Sequence, residues 1–523
     1  MTTPRQTLVH AVTKERDAQR NRPLEIGVAA GSTALAALLS AITMPHGPAT
    51  SAQVWIVMVS SLTAGLIGGL ALRTRWAMLL LPLVYVVAIE LARLNVAGAT
   101  TGAIRLDNAY GLLALVTGRG FHGLVALLPL VLGAGLGVAV ARLQAAPDVT
   151  PFRAFWQQPL LVLLALPVLA LAILNAIPAR TPPIVDADGK EVPGSIAELT
   201  HVRLGGQQQS IMIRARSADL PVLLYLSGGP GQSDLPYVRV LFEDLTEDFV
   251  VVGWDQRGTG KSYSALDPTS DLTLEQAVAD TIELTNYLRE RFDEEKIYML
   301  GESWGTTLGV LAVQQRPDLY HAWIGGGQMV SQRETDRLLY KAVVTMAAQK
   351  GDMDLAATML AYGEPPYEDV PYPNAVVMGY YPELEQPYTP PQAYMERGTA
   401  AKLGFYGILG SEYAFVEKVN VLRGLIDMFT IMYPQLQEID FRQDVPRLEV
   451  PVYILDANAE LTARRDLALE WFEMLDAPIK RLYTFENSGH SVPFEQFEAL
   501  QQILTQTVLP ETYPARATSA VQP

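Results

Sequence analysis

One serine of the chain lies where a nucleophile could act. The segment Gly301-Glu302-Ser303-Trp304-Gly305 directly follows the apolar run KIYML and opens TTLGVLAVQQ, which has a helical pattern. Glycines flank the serine because a tight strand-to-helix turn leaves no room for side chains, and such a turn lifts the hydroxyl clear of the sheet edge. The N-terminus of the helix supplies positive potential where negative charge develops. The context predicts Ser303 as the nucleophile of an acyl transfer.

A serine hydroxyl needs a neighbouring base, and a histidine is expected after the nucleophile in the chain. Three histidines lie beyond residue 195. His201 begins a predicted hairpin and His321 precedes a predicted strand, positions typical of surface or packing residues. His490 lies in the loop NSGHS between the last predicted strand and the helix PFEQFEALQQILTQ. His490 is therefore the predicted base.

An acid between the serine and the histidine should orient the imidazole and stabilise its cation. The loop after the run VPVYIL reads DANAE, and Glu460 at its end has enough chain behind it to reach His490. Asp456 stands at the strand end and is the alternative acid. The oxyanion formed during acyl transfer needs backbone N–H donors. Trp304 supplies one, and the loop SGGPG supplies the other from Gly229, with Gly228 as second choice.

The catalytic residues require a mostly parallel sheet with helices on both faces. Short apolar runs (VLLYL, FVVVGW, KIYML, HAWIGG, VPVYIL and KRLYTFE) alternate with helical patterns, which is the rhythm of such a sheet. A hairpin, THVRLGG and SIMIRAR, precedes them. We predict an α/β core over residues 196–328 and 446–512, a helical insertion over 329–445, and a flexible tail over 513–523.

The N-terminal third predicts a helical membrane domain at 24–178. Five apolar runs, 24–43, 53–72, 77–92, 121–141 and 159–177, approach the length that spans a bilayer. The stretch 107–118 could hide a re-entrant or sixth segment. Glu90 and Arg93, one helical turn apart, are expected to form an interfacial pair. Residues 179–195, rich in proline, glycine and charge, are the predicted linker.

Lysine and arginine set the expected orientation. They concentrate in residues 1–23, beside residue 75 and before the fifth run, while loop 44–52 has none. Positive loops stay on the cytoplasmic side. The prediction is a multi-pass protein of the cell membrane with a cytoplasmic N-terminal tail and an extracytoplasmic C-terminal domain. If 107–118 crosses the membrane, that side is reversed.

Composition excludes several other functions. The net charge of −16 and the pI of about 4.9 argue against a nucleic-acid partner, because phosphate binding needs a cationic face. The chain has no cysteine, so disulfides and a cysteine nucleophile are impossible. Arg257-Gly258-Thr259-Gly260-Lys261-Ser262 resembles a phosphate-binding loop, but Asp255 stands where that motif requires glycine. No metal or cofactor is expected.

Together the motifs resemble the prolyl aminopeptidase (proline iminopeptidase) branch of the α/β-hydrolases. The resemblance rests on SGGPG, WDQRGTGKS, GESWGTTLG and the SGH loop, and covers roughly residues 196–510. It implies the same nucleophile, base, acid and oxyanion donors, and a cap that binds a peptide N-terminus through acidic residues. The cap offers Glu334, Asp336, Glu364 and Glu368. Two departures are Ser227, where the family has histidine, and Glu460, where it usually has aspartate.

The sequence thus predicts a membrane-anchored serine hydrolase that cleaves short peptides from their N-terminus through an acyl-enzyme. An esterase or lipase acting on membrane-borne acyl groups is the alternative enzyme. A sensor that keeps the hydrolase fold as a ligand-binding module is the third hypothesis. The expected partners are a short peptide or other small substrate and the lipid bilayer.

Overall fold

The chain folds into two compact units. The computed structural model describes residues 4–106, 108–145, 159–367 and 369–513, so the predicted tail lies outside the described residues from residue 514 onward. The first unit contains the described residues up to Ile104 and within Ala114–Pro178, and the second contains Arg105–Leu113 and the described residues from Ala179 onward.

The described residues of the N-terminal region, up to Pro178, form helices and no strand, and of these Arg105–Leu113 belong to the second unit. Four stretches are long and apolar enough to cross a membrane, namely Arg22–Thr43, Ser51–Leu72, Ala109–Gln144 and Pro159–Ala176, and Ala77–Ala92 is a shorter apolar helix. The helices are α1 (Pro4–Thr43), α2 (Ser51–Leu72), α3 (Ala77–Ala92), α4 (Ala109–Leu115), α5 (Phe121–Ala145) and α6 (Pro159–Ala176).

The described residues of the stretch 107–118 run into the helix that follows them. Helix α4 runs through a π-helical turn, Val116–Gly120, into α5, so the fourth apolar run belongs to one 36-residue helix. At 1.5 Å per residue this helix is about 54 Å long, well beyond the roughly 30 Å of a hydrocarbon core. The expected start at residue 121 was therefore too late, because glycines 118 and 120 are absorbed within the helix.

The expected pair between Glu90 and Arg93 is wrong. Glu90 instead accepts hydrogen bonds at 3.0 Å from Nε and Nη2 of Arg119, on the turn between α4 and α5. Arg93 donates to Nδ1 of His122 at 3.0 Å and to the carbonyl of Met44 at 3.1 Å. Glu90 and Arg93 therefore bind residues outside α3 instead of each other, because the long arginine side chains reach across the packed helices.

Glycines bring α2 and α5 to backbone contact. A Cβ atom built on Gly65 or Gly69 would lie 2.1 Å from the carbonyl oxygen of Leu130 or Ala134, respectively. On the facing helix, a Cβ on Gly133 would lie 2.1 Å from the carbonyl oxygen of Leu62. No larger side chain fits these positions, as is typical of closely packed apolar helices.

The second unit is built on one eight-stranded sheet in the order β1-β2-β4-β3-β5-β6-β7-β8. Strands β1 and β2 form the predicted antiparallel hairpin, β2 pairs antiparallel with β4, and the remaining pairs are parallel. The strands are β1 (Ile196–Leu204), β2 (Gln207–Ala215), β3 (Val222–Leu226), β4 (Val250–Asp255), β5 (Ile297–Glu302), β6 (Tyr320–Gly326), β7 (Val452–Ala457) and β8 (Lys480–Phe485). Every residue of β3, β4, β5 and β7 is buried, which explains their continuous apolar runs.

Helices cover the sheet, and a helical insertion separates β6 from β7. The core helices are α7 (Leu235–Leu241), α8 (Leu274–Phe292) and α9 (Trp304–Gln315), and the insertion contains α10 (Gln332–Lys350), α11 (Met353–Tyr362), α12 (Pro371–Met378), α13 (Tyr381–Leu384), α14 (Gln392–Ala401), α15 (Phe415–Met432) and α16 (Phe441–Asp444). After β7 come α17 (Thr462–Met474), α18 (Val492–Glu495), α19 (Phe497–Ile503) and α20 (Leu509–Thr512). Because parallel strands end at the same sheet edge, the loops after β3, β5, β7 and β8 meet there.

Candidate active site

Ser303 occupies a strained turn between β5 and α9. Its backbone has φ 53° and ψ −121°, in the region that non-glycine residues avoid at a cost of about 1–3 kcal/mol. Its amide donates to the carbonyl of Gly326 at 3.1 Å, which fixes the turn against β6. The flanking glycines are required here: a Cβ on Gly301 would lie 2.5 Å from the Trp323 ring, and one on Gly305 would lie 2.1 Å from the carbonyl oxygen of Leu226.

His490 follows β8, and its Nδ1 contacts Oε2 of Glu460. Glu460 also accepts from the amide of Leu461 at 2.8 Å, and Arg464 lies 3.5 Å from its second oxygen. Burial alone raises the pKa of Glu460, but the charge and hydrogen bond of His490, with the charge of Arg464, outweigh it and lower the pKa to about 2. The carboxylate is therefore ionised at neutral pH and Nδ1 donates to it. In the neutral form of the imidazole this leaves Nε2 as the acceptor.

The alternative acid is bound elsewhere. Asp456 lies within β7, and each of its carboxylate oxygens accepts a hydrogen bond from Arg465 at 2.9 Å. Of the two candidates, the structure brings Glu460 to His490 and pairs Asp456 with an arginine on α17.

The loop that carries His490 is held by a second carboxylate. Glu495 accepts from the hydroxyl of Ser488 and from the amide of Gly489, both at 2.7 Å. Tyr388 of the insertion donates to the other oxygen of Glu495 at 2.8 Å. The base loop is thus fixed from both the core and the insertion.

Ser303, Trp304, Gly229 and His490 border one cavity of about 210 Å³. A Cβ on Gly228 would lie 3.2 Å from that of Ser303, so the SGGPG loop passes directly beside the serine. Gly229 has φ 115°, a conformation that favours glycine. The indole of Trp304 donates to Gln256 at 2.9 Å, and Gln256 in turn donates to the carbonyl of Ser227 at 3.1 Å. This bridge fixes α9 relative to the loop.

The cavity wall also contains residues outside the sequence motifs, two from the insertion and one from α17. Glu385, Arg464 and Tyr381 line the cavity together with Ser303. Burial first, and then the negative charge of Glu460, raise the pKa of the half-buried Glu385. Glu385 lies in a proline- and tyrosine-rich stretch with no motif, so only the folded insertion reveals its position.

Of the acidic residues expected in the cap, those that the structure describes do not line this cavity. Asp336 is buried and accepts from Tyr433 at 2.6 Å and from Gln437 at 2.9 Å. Glu334 is half-buried, Glu364 is exposed, and Glu368 lies outside the described residues. The basic side chains of the segment that resembles a phosphate-binding loop form ion pairs within the protein. Arg257 pairs with Asp280 at 2.8 Å, and Lys261 pairs with Glu417 at 2.7 Å.

Comparisons with known proteins agree with this architecture. Residues 221–329 match a family described as the alpha/beta hydrolase fold. The chain is 30% identical over 304 residues to the probable aminopeptidase YbaC of Bacillus subtilis (strain 168), an alignment covering 58% of this chain and 93% of that protein. A proline iminopeptidase of Arabidopsis thaliana is 34% identical over 97 residues, which cover 18% of this chain and 23% of that protein.

Among solved structures, a proline iminopeptidase-related protein of Thermus thermophilus is similar with a TM-score of 0.42 at 20% identity, covering 61% of this chain and 98% of that one. A proline iminopeptidase of Mycobacterium smegmatis has a TM-score of 0.42 at 17% identity, covering 60% and 98%. The chain belongs to the α/β-hydrolase family, as its similarity to YbaC over nearly the whole length of that protein shows.

Proposed function

We propose that the protein is a membrane-anchored serine hydrolase in which Ser303, His490 and Glu460 form the catalytic triad. The observation that carries the proposal is the contact between His490 Nδ1 and the ionised Glu460, with His490 and the strained Ser303 bordering the same cavity. An ionised acid on Nδ1 keeps Nε2 free to accept a proton, as a general base requires.

The reaction follows from these roles. Ser303 Oγ attacks the substrate carbonyl while His490 Nε2 takes its proton, and His490 then passes that proton to the leaving group as the acyl-enzyme forms. The amides of Trp304 and Gly229 stabilise the oxyanion; the first N–H groups of α9 have no acceptor within the helix, which supports this role. Water then attacks the acyl-enzyme while His490 Nε2 takes its proton, and His490 returns that proton to Ser303 Oγ as the bond to the acyl group breaks and the acid is released.

The preferred substrate is a short peptide cleaved at its N-terminal residue. Glu385 supports this substrate class, because a half-buried carboxylate beside the reaction centre favours a cationic ammonium group. The related proteins include a probable aminopeptidase, YbaC, and a proline iminopeptidase, which supports the same class of substrate for this chain.

The ester alternative rests on a different part of the cavity wall. Met329, Met378, Leu425, Phe429 and Leu436 line much of the cavity, and an acyl chain would bury itself against them. An esterase would need these apolar residues and would not need Glu385.

The helical unit is proposed as a membrane anchor. It exposes large apolar side chains, among them Leu24, Ile42 and Leu163, with 70%, 73% and 66% exposed. Such an apolar surface is typical of contact with lipid. The distribution of arginine and lysine supports a cytoplasmic N-terminus and an extracytoplasmic hydrolase unit.

The experiment compares hydrolysis of proline p-nitroanilide and p-nitrophenyl butyrate by the detergent-solubilised protein, with Ser303→Ala as control. Proline release that disappears in the variant supports the aminopeptidase. Butyrate hydrolysis alone moves the function to an esterase. If neither substrate reacts and a fluorophosphonate fails to label Ser303, the triad proposal is wrong and the sensor hypothesis takes its place.

A further inference from the structure

A chain of buried polar side chains runs beneath the candidate active site. Tyr225 on β3, Glu302 at the end of β5 and Asp234 before α7 are only 0%, 2% and 1% exposed. The tyrosine hydroxyl lies 2.9 Å from Oε2 of Glu302 and 3.2 Å from Oδ2 of Asp234. One hydroxyl therefore bridges two carboxyl groups that are shielded from water.

Proton counting gives this bridge a direction. Tyr225 has one proton and donates it over the shorter distance, to Glu302. Its oxygen then faces Asp234 Oδ2 as an acceptor, and two acceptor oxygens at hydrogen-bond distance need a proton between them. That proton can only belong to Asp234. The hydrogen bonds therefore run from the Asp234 carboxylic acid to the Tyr225 oxygen, and from the Tyr225 hydroxyl to the Glu302 carboxylate.

Both carboxyl groups of this hydrogen-bonded network also contact the candidate catalytic loops. Asp234 Oδ1 accepts from Gln232 at 2.9 Å, and Gln232 borders the cavity beside Gly229. Glu302 Oε1 accepts from Ser491 at 2.8 Å, and Ser491 directly follows His490. Glu302 itself directly precedes Ser303. The network thus links the oxyanion loop, the nucleophile and the base loop.

We infer that Asp234 and Glu302 are positioning residues that hold these three loops in register by sharing one proton through Tyr225. The inference rests on the proposed triad. Loss of the proton would place two negative charges on one hydroxyl, and their repulsion would displace Gln232 and Ser491 together with the loops they support.

The electrostatics of the site agree with the geometry. Burial, followed by the charge of Glu302, raises the pKa of Asp234 to about 7. Burial also raises the pKa of Glu302, although the positive charge of His490 opposes the shift. The other titratable groups that face the pair are Glu495 and Tyr394 at Glu302, and Tyr413 and Tyr237 at Asp234. Because the folded protein binds this proton more tightly than the unfolded chain, the arrangement is lost as the pH rises past about 7.

The test measures the rate of Ser303 labelling by a fluorophosphonate from about pH 6 to about pH 9. Asp234→Asn carries a permanent N–H donor toward Tyr225 and mimics the protonated acid. We expect this variant to label within about twofold of wild type at pH 6, and to retain at alkaline pH the activity that wild type loses by about fivefold or more. Glu302→Gln removes the carboxylate that accepts from both the Tyr225 and Ser491 hydroxyls, and should slow labelling by about tenfold at every pH.

Asp255→Asn is the matched control. Asp255 is also fully buried with a pKa raised by burial to about 7, and it contacts the amide of Lys261, Tyr413 and Ser233. It has no hydrogen bond to Tyr225, Glu302 or Ser491 among the described residues, so it takes no part in the shared proton. This variant should keep the alkaline loss. The inference is overturned if Asp234→Asn shows the wild-type pH profile, or if it is as slow as Glu302→Gln at pH 6. Absence of labelling in wild type at any pH would instead refute the triad, and the pH dependence of thermal unfolding would still report on the shared proton.

Discussion

At the scale of single residues, the carboxylate of Glu460 governs the predicted chemistry. Glu460→Gln removes the charge that keeps the proton on His490 Nδ1 and stabilises the imidazolium. We expect kcat to fall by about 10³ to 10⁴, as when a triad acid becomes an amide, with a much smaller change in KM. The measurement is steady-state hydrolysis of whichever chromogenic substrate the wild type accepts, with circular dichroism to confirm folding.

Asp456→Asn provides the matched control for that variant. It removes a carboxylate from the same strand and loop but breaks only the pair with Arg465, so kcat should stay within about threefold of wild type. If Asp456→Asn is as inactive as Glu460→Gln, the assignment of the acid is wrong.

The lowered pKa of Glu460 also predicts how stability changes with acid. The pKa of the folded state, about 2, lies below the ordinary value of 4.5, so the folded protein binds this proton more weakly than the unfolded chain. The stabilisation is complete above about pH 5 and is lost as the pH falls toward 2. When the pH is lowered from about 5 to about 3, the Tm of Glu460→Gln should fall less than the Tm of wild type. An equal fall would contradict the ion pair between Glu460 and His490.

Glu385 separates the two substrate classes. Glu385→Gln removes the negative charge at the cavity wall, so KM for proline p-nitroanilide should rise about tenfold or more while KM for the butyrate ester stays constant. Glu364→Gln, on an exposed part of the insertion, is the control and should change neither value. An equal rise for both substrates would mean that Glu385 shapes the cavity without binding an ammonium group.

At the scale of elements, the strands could be predicted from sequence because each parallel strand is a short buried apolar run. The positions of Ser303 and His490 in loops after strands could also be predicted, because chain order limits where a nucleophile and its base can lie. The choice between Glu460 and Asp456 needed the structure, because four residues of loop decide which carboxylate reaches the imidazole. Glu385 could not be predicted, as its place depends on how the insertion folds over the sheet edge.

The helical unit offers a test of packing at the same scale. Gly69→Ala places a methyl group 2.1 Å from the carbonyl oxygen of Ala134, so α2 and α5 must separate. We expect a loss of about 1–3 kcal/mol, the typical cost of overpacking, seen as a lower Tm in detergent. Gly27→Ala is the control: nothing lies within 4 Å of its Cβ, and alanine is the better helix former, so Tm should stay constant or rise. Equal effects would mean that the close approach of α2 and α5 does not stabilise the unit.

At the scale of the whole molecule, the orientation of the chain in the membrane decides which substrates the hydrolase unit meets. The absence of cysteine makes the test clean, because any introduced thiol is the sole target of a maleimide. Ser270→Cys lies at an exposed position of the hydrolase unit, and Thr74→Cys lies in the arginine-flanked loop between α2 and α3.

In intact cells, a membrane-impermeant maleimide should label Ser270→Cys and leave Thr74→Cys unlabelled until the membrane is opened. The physical reason is the concentration of arginine around residue 74, which resists transfer across the bilayer, together with five apolar helices between the N-terminal tail and the hydrolase unit. The reverse pattern would invert the whole chain while keeping five crossings. Protection of both positions until the membrane is opened would instead place the hydrolase unit inside, on the same side as the N-terminal tail. Four crossings would then have to be counted, with α3, only 16 residues long, as the helix that fails to span.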